Sequence, residues 1–244
     1  MNFREALYGA SLLLFMQEIL QERKIYMSNS SLITYKKISP NKTSPRNHKI
    51  DTISIHCMVA QWTAKQACDY FSHSNVQASC NYAVGKDGSI GLCVEEKDRS
   101  WCTSSRENDN RAITIEVASD MKHPYKVTDA AYKALIKLLV DICKRNGIKK
   151  LVWSTNKNDR VNHKNGCNMT VHRDYANKAC PGKYLYDLHG QIAKEVNNQL
   201  NPPKSNVIYK VQIGAFSKKE NAEKQLEKAK KAGFTNAVIT AVKK

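Results

Sequence analysis

Polar and apolar residues alternate along two segments of the chain with the period of a β-strand. In "DTISIHCMV" (51–59) the isoleucines alternate with polar residues that include Ser54 and His56. In "AITIEVAS" (112–119) they alternate with Thr114 and Glu116. Each pattern predicts a half-buried strand, so His56 and Glu116 are expected on the polar faces of two strands.

Three other segments carry apolar residues at helical spacing. "TAKQACDYFSH" begins with Thr63 and Gln66 at the spacing of a capping box. "TDAAYKALIKLLVDICKRNG" begins with Thr128 as a cap and ends at Gly147, and "KYLYDLHGQIAKEVNNQL" covers 183–200. These patterns predict three amphipathic helices that pack on a sheet.

Two further segments complete the predicted sheet. "NYAVGKDGSIGLCV" places two apolar runs around Asp87 and Gly88, a pair that favours the tight turn of a β-hairpin. "IKKLVWS" (148–154) predicts another strand. Alternating strands and helices predict an α/β fold with a central mixed sheet flanked by helices.

The chain changes character after residue 200. "NPPKSN" (201–206) predicts a linker, because paired prolines cannot continue a helix. The next 38 residues (207–244) predict a strand in "VIYKVQIGAF", a lysine-rich helix and a strand in "FTNAVITAVKK". We therefore expect a main domain at 27–200 and a small β-α-β appendage.

The first 26 residues contain the apolar stretch "ALYGASLLLFM", which is too short to span a bilayer. No basic leader or small-residue cleavage site accompanies it, so no secretory signal is predicted. The segment is interpreted either as a short helix or as a mis-called start, because codons for Gln21-Glu22-Arg23 can contain AGGAG upstream of Met27. N-terminal sequencing of the native protein distinguishes the two.

Composition narrows the classes of partner. The net charge of +17 indicates an anionic partner such as nucleic acid, a membrane surface or an acidic cell-wall polymer. The basic residues are not interleaved with aromatic residues in a nucleic-acid-binding motif, so nucleic acid is not expected. The eight cysteines lack Cys-x-x-Cys pairs, which favours reduced thiols over a disulfide scaffold.

A metal site is one interpretation of "TVHRDYANKACPG" (170–182), which contains His172 and Cys180. Histidine and cysteine are zinc ligands, and a catalytic zinc site needs a third protein ligand. Taken separately, His172 is better explained as a surface loop histidine and Cys180 as a buried thiol. Two other pairs of the same residue types lack an obvious third partner: His163 with Cys167, and Cys68 with His73.

Four motifs occur in the order seen in one enzyme family: "ISIHC", "NYAVGKDGSI", "ITIEVASD" and "TVHRDYANKACPG". Together they resemble the zinc-dependent N-acetylmuramoyl-L-alanine amidases, which share their fold with peptidoglycan-recognition proteins. Stretches 38–51, 93–102 and 123–136 look most like endolysins of phages and prophages in Gram-positive hosts. The resemblance covers about 32–200 and implies cleavage of the bond between N-acetylmuramic acid and L-alanine in peptidoglycan.

The resemblance also implies roles for particular residues. It implies one zinc ion held by three ligands: His56, His172 and Cys180. It further implies three catalytic residues: Glu116 as general base, Lys178 as the group that stabilises the oxyanion, and Tyr82 as the group that orients water or substrate. Whether Glu116 or Tyr82 accepts the proton stays open at this point. A recognition module that binds muropeptides without cutting them would lack a ligand, whereas all three are present.

Residues 207–244 resemble the first half of a SPOR domain, a peptidoglycan-binding module; the alternative is that its lysines form a solvated helix face. The expected partners are peptidoglycan and anionic wall polymers, without nucleic acid or stable membrane insertion, and the protein is expected to be a monomer. It is expected to be made in the cytoplasm without a recognisable signal peptide and to act at the cell wall as an endolysin or autolysin.

Overall fold

The computed structural model describes residues 29–202 and 210–242. Contacts divide the chain into two units, Met1–Pro203 and Lys204–Lys244. The interpretation of 1–26 lies outside the described residues. No helix in the described ranges is long and apolar enough to cross a membrane.

A six-stranded mixed sheet forms the centre of the first unit, as the sequence pattern predicts. Its strand order is β1-β5-β4-β7-β3-β8, and only the pairing of β4 with β5 is antiparallel within it. Strands β2 and β6 form a separate antiparallel pair. The strands are β1 Tyr35–Lys36, β2 Lys42–Thr43, β3 Thr52–Cys57, β4 Tyr82–Val84, β5 Ile90–Leu92, β6 Arg99–Ser100, β7 Ala112–Val117 and β8 Met169–Thr170.

Within residues 29–202, five α-helices accompany the sheet, and the three long ones match the predicted helical segments. The capping box at Thr63 and the cap at Thr128 are both present. The helices are α1 Ala64–Phe71, α2 Arg106–Arg111, α3 Asp129–Arg145, α4 Lys157–Val161 and α5 Gly182–Leu200. The isoleucines of β3 and β7 share one apolar core with α3 and α5, while α1 contributes to a smaller core that contains Ala83 of β4. Helices therefore cover both faces of the sheet.

The parallel pairing of β3 with β7 sets the position of the two polar residues predicted from the alternation. His56 pairs with Glu116, in the same register that pairs Ile55 with Ile115. Paired residues on neighbouring strands point to the same face of a sheet. His56 and Glu116 therefore lie side by side, on the face opposite the isoleucines.

The strand predicted at 148–154 is wrong. This segment is not a strand in the structure, because side-chain amides take the place of a neighbouring strand. The Asn197 side chain accepts from Leu151 N (2.7 Å) and donates to Leu151 O (2.8 Å). The Asn168 side chain accepts from Val152 N (2.8 Å). An alternating apolar pattern cannot distinguish this arrangement from a strand.

The second unit has one helix in its described residues, α6 Lys219–Lys231. The two predicted flanking strands are not observed at 210–216 or 234–242. A strand requires a hydrogen-bonded neighbour, and neither described segment pairs with one. Several apolar side chains in these segments are consequently exposed: Val211, Ile213, Phe216, Phe234, Val238, Ile239 and Val242.

His189 of α5 is buried in the first unit and makes stability depend on pH. Its Nδ1 donates to the Leu185 carbonyl oxygen (2.6 Å), while Nε2 is buried without a partner. Burial lowers the pKa of His189 to about 4. The unfolded chain takes up a proton here below about pH 6.5, and the folded chain does so only near pH 4.

We therefore expect His189 to cost about 2–3 kcal/mol of unfolding free energy between pH 7 and pH 4.5. Urea unfolding at the two pH values measures this cost. His189→Gln should reduce the loss by that amount, whereas His48→Gln, at an exposed position, should leave it unchanged. An identical pH dependence for wild type and His189→Gln would contradict the prediction.

Candidate metal centre

His56 presents one ring nitrogen to Cys180. The Ser54 hydroxyl lies 3.1 Å from His56 Nε2 and donates to the Thr170 carbonyl oxygen at 3.3 Å. Because the Ser54 hydroxyl donates its only proton to the Thr170 carbonyl oxygen, it can only accept a hydrogen bond from His56. We therefore assign the imidazole proton to Nε2, which donates to Ser54. His56 Nδ1 then carries a lone pair and lies 3.4 Å from Cys180 Sγ.

The segment from His172 to Cys180 folds back on itself, so its two ends meet. His172 begins a short 3₁₀ turn, His172–Asp174. The backbone N–H of Arg173 donates to the Cys180 carbonyl oxygen (3.2 Å), and its guanidinium donates to the Ala179 carbonyl oxygen (2.5 Å). Arg173 thereby holds the two ligand-bearing ends of the segment together.

Gly182 allows the chain to leave this segment and enter α5. Its φ is +76°, in the left-handed region that favours glycine. A Cβ at this position would lie 2.7 Å from Tyr125 Cβ, which is too close for any side chain. The glycine of the Pro-Gly pair is therefore required by both conformation and space.

His56, His172 and Cys180 converge on one point. One ligand atom from each lies within 4.8 Å of the other two. Burial lowers the pKa of both histidines, with His172 further lowered by Lys178, so the neutral imidazoles that bind metals are favoured. Burial also raises the pKa of Cys180 well above its usual value. Two imidazoles and a thiol form a donor set that suits Zn²⁺.

Glu116 lies beside this group. Its Oε1 is 3.8 Å from His56 Nδ1 and 3.9 Å from Cys102 Sγ, and its Oε2 is buried without a hydrogen-bond partner. Burial raises the pKa of Glu116 to about 8. A buried carboxylate oxygen without a partner fits a cation or a substrate proton at this position. His56, Cys102 and Glu116 also form a metal-capable group that shares His56 with the first.

Lys178 lies on the exposed part of the same segment. It is close enough to His172 to lower the pKa of that imidazole. The structure therefore brings four of the six predicted site residues together, namely His56, His172, Cys180 and Glu116, and it places Lys178 on the same short segment as two of them. The pairs His163 with Cys167 and Cys68 with His73 belong to neither metal-capable group in the described ranges.

Tyr82 is the exception, and the structure does not bring it to the cluster. It pairs with Ile115, whereas Ala83 pairs with Glu116, so the Tyr82 side chain points to the isoleucine face. Its buried hydroxyl donates to Glu96 Oε1 (2.6 Å) and accepts from Ser30 N (2.8 Å). Burial and the Glu96 carboxylate raise the pKa of Tyr82 well above its usual value. The predicted role of Tyr82 beside the metal is therefore withdrawn.

The structure adds Ser104 and Arg173 to the site, neither of which was predicted. Ser104 Oγ lies 3.1 Å from His172 Nε2. The backbone of Ser104 has a φ of +63°, in the left-handed region. Such outer partners orient metal-binding histidines. The sequence "SWCTSSREN" carries no period or spacing that signals this contact, since it depends on the fold.

A buried ion pair supports the His172 turn. Arg160 Nε and Nη2 contact Asp174 Oδ2 and Oδ1 at 2.8 and 2.5 Å, and both side chains are almost completely inaccessible. The same guanidinium lies 4.5 Å from the centre of the Trp153 ring. Removing one partner would leave the other charge buried and unpaired. Breaking the pair therefore costs more free energy of unfolding than the intact pair contributes.

Asp174→Ala should lower the free energy of unfolding by about 3–5 kcal/mol, as measured by urea denaturation. Asp187→Ala is the matched control, because Asp187 pairs with Lys183 at 2.5 Å on an exposed surface. That control should cost less than about 1 kcal/mol. Equal effects of the two substitutions would contradict the supporting role of Asp174.

Two known protein families match the sequence of this chain. The sequence profile of the family described as N-acetylmuramoyl-L-alanine amidase (Amidase_2) matches residues 46–183. The SPOR domain profile matches residues 205–244. A search of curated proteins found no match.

Several solved structures share the fold. The solution structure of the PlyG catalytic domain has a TM-score of 0.51 at 17% identity, covering 71% of this chain and 98% of that one. PlyL has a TM-score of 0.50 at 16% identity, with coverages of 66% and 95%. A mutant endolysin from Bacillus subtilis has a TM-score of 0.50 at 15% identity, with coverages of 67% and 99%. At these identities the likeness shows the fold alone.

The amidase profile carries more weight than the structural likeness, because it spans more than half of the chain and contains the whole cluster. The SPOR match implies association with the cell wall through peptidoglycan. The chain therefore belongs to the N-acetylmuramoyl-L-alanine amidase family and carries a SPOR domain after its amidase domain.

Proposed function

We propose that the protein is a zinc-dependent amidase that hydrolyses the bond between the lactyl group of N-acetylmuramic acid and L-alanine in peptidoglycan. The observation that carries this proposal is the convergence of His56, His172 and Cys180 next to Glu116, whose Oε2 atom is buried. Three protein ligands for zinc, next to a carboxylate that can accept a proton, suit amide hydrolysis by a metal enzyme.

One zinc ion would be held by His56, His172 and Cys180. Zinc in such a site supplies Lewis acidity, which makes water more acidic and polarises a carbonyl group. Because burial keeps the Cys180 thiol protonated in the metal-free protein, binding of zinc should release a proton. Ser54 and Ser104 would fix the orientation of the two imidazoles through their contacts with the Nε2 atoms.

A zinc ion beside Glu116 would lower the pKa of that carboxyl from the value of about 8 that burial gives it. As a carboxylate, Glu116 would accept the proton of the attacking water and pass it to the leaving amine. Its carboxylate is the only one in the metal-capable groups of the described residues, and its Oε2 has no other partner. The Tyr82 side chain points to the opposite face of the sheet, which favours Glu116 over Tyr82 as the proton acceptor.

Lys178 would stabilise the negative charge that develops on the carbonyl oxygen. Its exposed ammonium lies on the rim of the cluster, close enough to influence His172. A cation placed where charge develops lowers the barrier, and a mobile surface lysine can approach the substrate as it binds.

The SPOR domain would keep the enzyme on its substrate. Helix α6 carries lysines at 219, 224, 228, 230 and 231, so anionic wall polymers are a second proposed partner. We extend the proposal to a monomeric protein, made in the cytoplasm, that acts at the wall as an endolysin or autolysin.

Release of dye from labelled, purified peptidoglycan tests the proposal. Treatment with a zinc chelator such as 1,10-phenanthroline should abolish release, and addition of ZnCl₂ should restore it. Circular dichroism before and after chelation should show that the fold is retained. Undiminished release by chelated, zinc-free protein would refute zinc dependence, and binding without release under all conditions would favour a recognition module.

A further inference from the structure

A second apolar cluster lies on the sheet face that α1 covers, and it is unusually rich in thiols. Its fully buried members include Cys68, Cys80 and Cys93, together with Ala67, Phe71 and Ala83. The proposed reaction uses none of these three cysteines. Their chemistry is therefore unaccounted for by the metal centre.

Two of these thiols are in direct contact. Cys68 Sγ of α1 lies 3.2 Å from Cys93 Sγ, which directly follows β5. Gly91 makes this approach possible, because a Cβ at that position would lie 2.4 Å from Cys68 Sγ. The absence of a side chain at Gly91 leaves the space that the Cys68 thiol occupies.

A metal does not explain the cluster. The metal-capable groups in the described residues both contain His56, and neither contains Cys68, Cys80 or Cys93. The side chains packed around the three thiols in this cluster are apolar or aromatic. Two sulfur atoms in contact in an apolar setting are suited to a covalent bond with each other, since a disulfide carries no charge or strong polar group.

We propose that Cys68 and Cys93 form a disulfide under oxidising conditions. This bond would link α1 covalently to the end of β5. The sulfur atoms need to approach by about 1 Å to reach the disulfide length of about 2.05 Å. This is a single bond, so it is compatible with the expectation that most of the thiols are reduced.

Glutathione disulfide is a sufficient oxidant. One cysteine, as its thiolate, attacks a glutathione sulfur and releases one glutathione; the second cysteine then attacks the mixed disulfide and releases the other. Two protein S–H bonds and one glutathione S–S bond are lost, and one protein S–S bond and two glutathione S–H bonds form. The protein pair loses two electrons and two protons, and the glutathione disulfide gains them.

Both thiols are completely buried, so glutathione must reach them while the chain is open. Oxidation is therefore tested by refolding the full chain from urea in zinc-containing buffers that span a series of reduced-to-oxidised glutathione ratios. The bond closes a loop between residues 25 apart. By the chain-entropy effect of such a loop, the oxidised protein should melt about 5–10 °C above the same protein after reduction.

Peptide mapping identifies the bond after free thiols are alkylated. Trypsin alone leaves Cys68 and Cys80 in one peptide, because no lysine or arginine separates them. Additional cleavage by chymotrypsin after Phe71 separates the two, so the partner of Cys93 is assigned directly. The expected product is a Cys68–Cys93 linked peptide that disappears on reduction.

Cys93→Ala should lose both the linked peptide and the difference in melting temperature between oxidised and reduced protein. Cys143→Ala is the matched control, since Cys143 is equally buried but belongs to the main core rather than to the thiol-rich cluster; it should keep both. Mapping of the wild-type protein decides the question even if a variant does not fold. The proposal would be overturned if, at every ratio, protein that has refolded and is then denatured for alkylation has alkylated Cys68 and Cys93, or if Cys93 is found paired with Cys80.

Discussion

Cys180→Ala should reduce hydrolysis of purified peptidoglycan by at least about a thousandfold. Catalytic metals supply several kcal/mol of transition-state stabilisation, and each 1.36 kcal/mol changes the rate about tenfold. Cys180 provides the only thiol in the group with His56 and His172. Its removal should lower the zinc content from one ion per chain to nearly none, as measured by inductively coupled plasma mass spectrometry.

Cys143→Ala is the matched control for this substitution. Cys143 is a buried residue of α3 in the main apolar core. It belongs to neither metal-capable group in the described residues. This variant should retain its zinc and its activity, apart from any loss of stability. A Cys180→Ala protein that is folded, zinc-free and as active as wild type would contradict the proposed centre.

Glu116→Gln should lower the turnover number by about 10²–10⁴-fold while zinc stays bound. The substitution keeps the shape of the side chain and removes its ability to accept a proton, and general base catalysis contributes about this much. Steady-state hydrolysis of a soluble muropeptide separates the turnover number from KM. Since Glu116 is not one of the three proposed ligands, zinc content should not fall.

Glu95→Gln controls for the loss of a negative charge near the same sheet. Glu95 pairs with Lys36 at 3.0 Å on the surface, away from the metal-capable groups. It should leave the turnover number within about twofold of wild type, because surface ion pairs contribute little. A Glu116→Gln enzyme with an unchanged turnover number would require another proton acceptor.

The positions of His56 and Glu116 were predictable because a strand has a period of two. Once each residue was placed opposite the isoleucines of its own strand, parallel pairing of the strands brought the two together. The alternation within each strand did not predict how the two strands are aligned with each other. A shift of one residue in that alignment would have separated His56 from Glu116. That register is fixed by packing of both strands against α3 and α5.

Tyr82 shows the limit of transferring roles by motif. It stands one position from Ala83, the residue that pairs with Glu116, and one position along a strand reverses the face. The same kind of limit applies to 148–154, where the amides of Asn168 and Asn197 replace a neighbouring strand. Both outcomes depend on residues distant in the sequence.

The segment that contains His172 and Cys180 suggested their convergence, but its spacing was insufficient to establish it. Spacing alone allowed a loop histidine and an unrelated thiol. The fold-back depends on hydrogen bonds from Arg173, on the left-handed Gly182 and on the buried pair of Asp174 with Arg160. The close approach of Gly182 to Tyr125 and the pair of Asp174 with Arg160 both reach outside the segment, so the motif alone could not establish the convergence.

The most direct test of the proposed reaction is mass spectrometry of purified peptidoglycan after digestion with the zinc-loaded enzyme. Cleavage at the proposed bond predicts peptides with new free L-alanine amino termini and glycan strands with intact lactyl groups. No new reducing sugars should appear. New reducing ends without free L-alanine termini would show glycan cleavage instead and would contradict the assignment of this protein as an amidase.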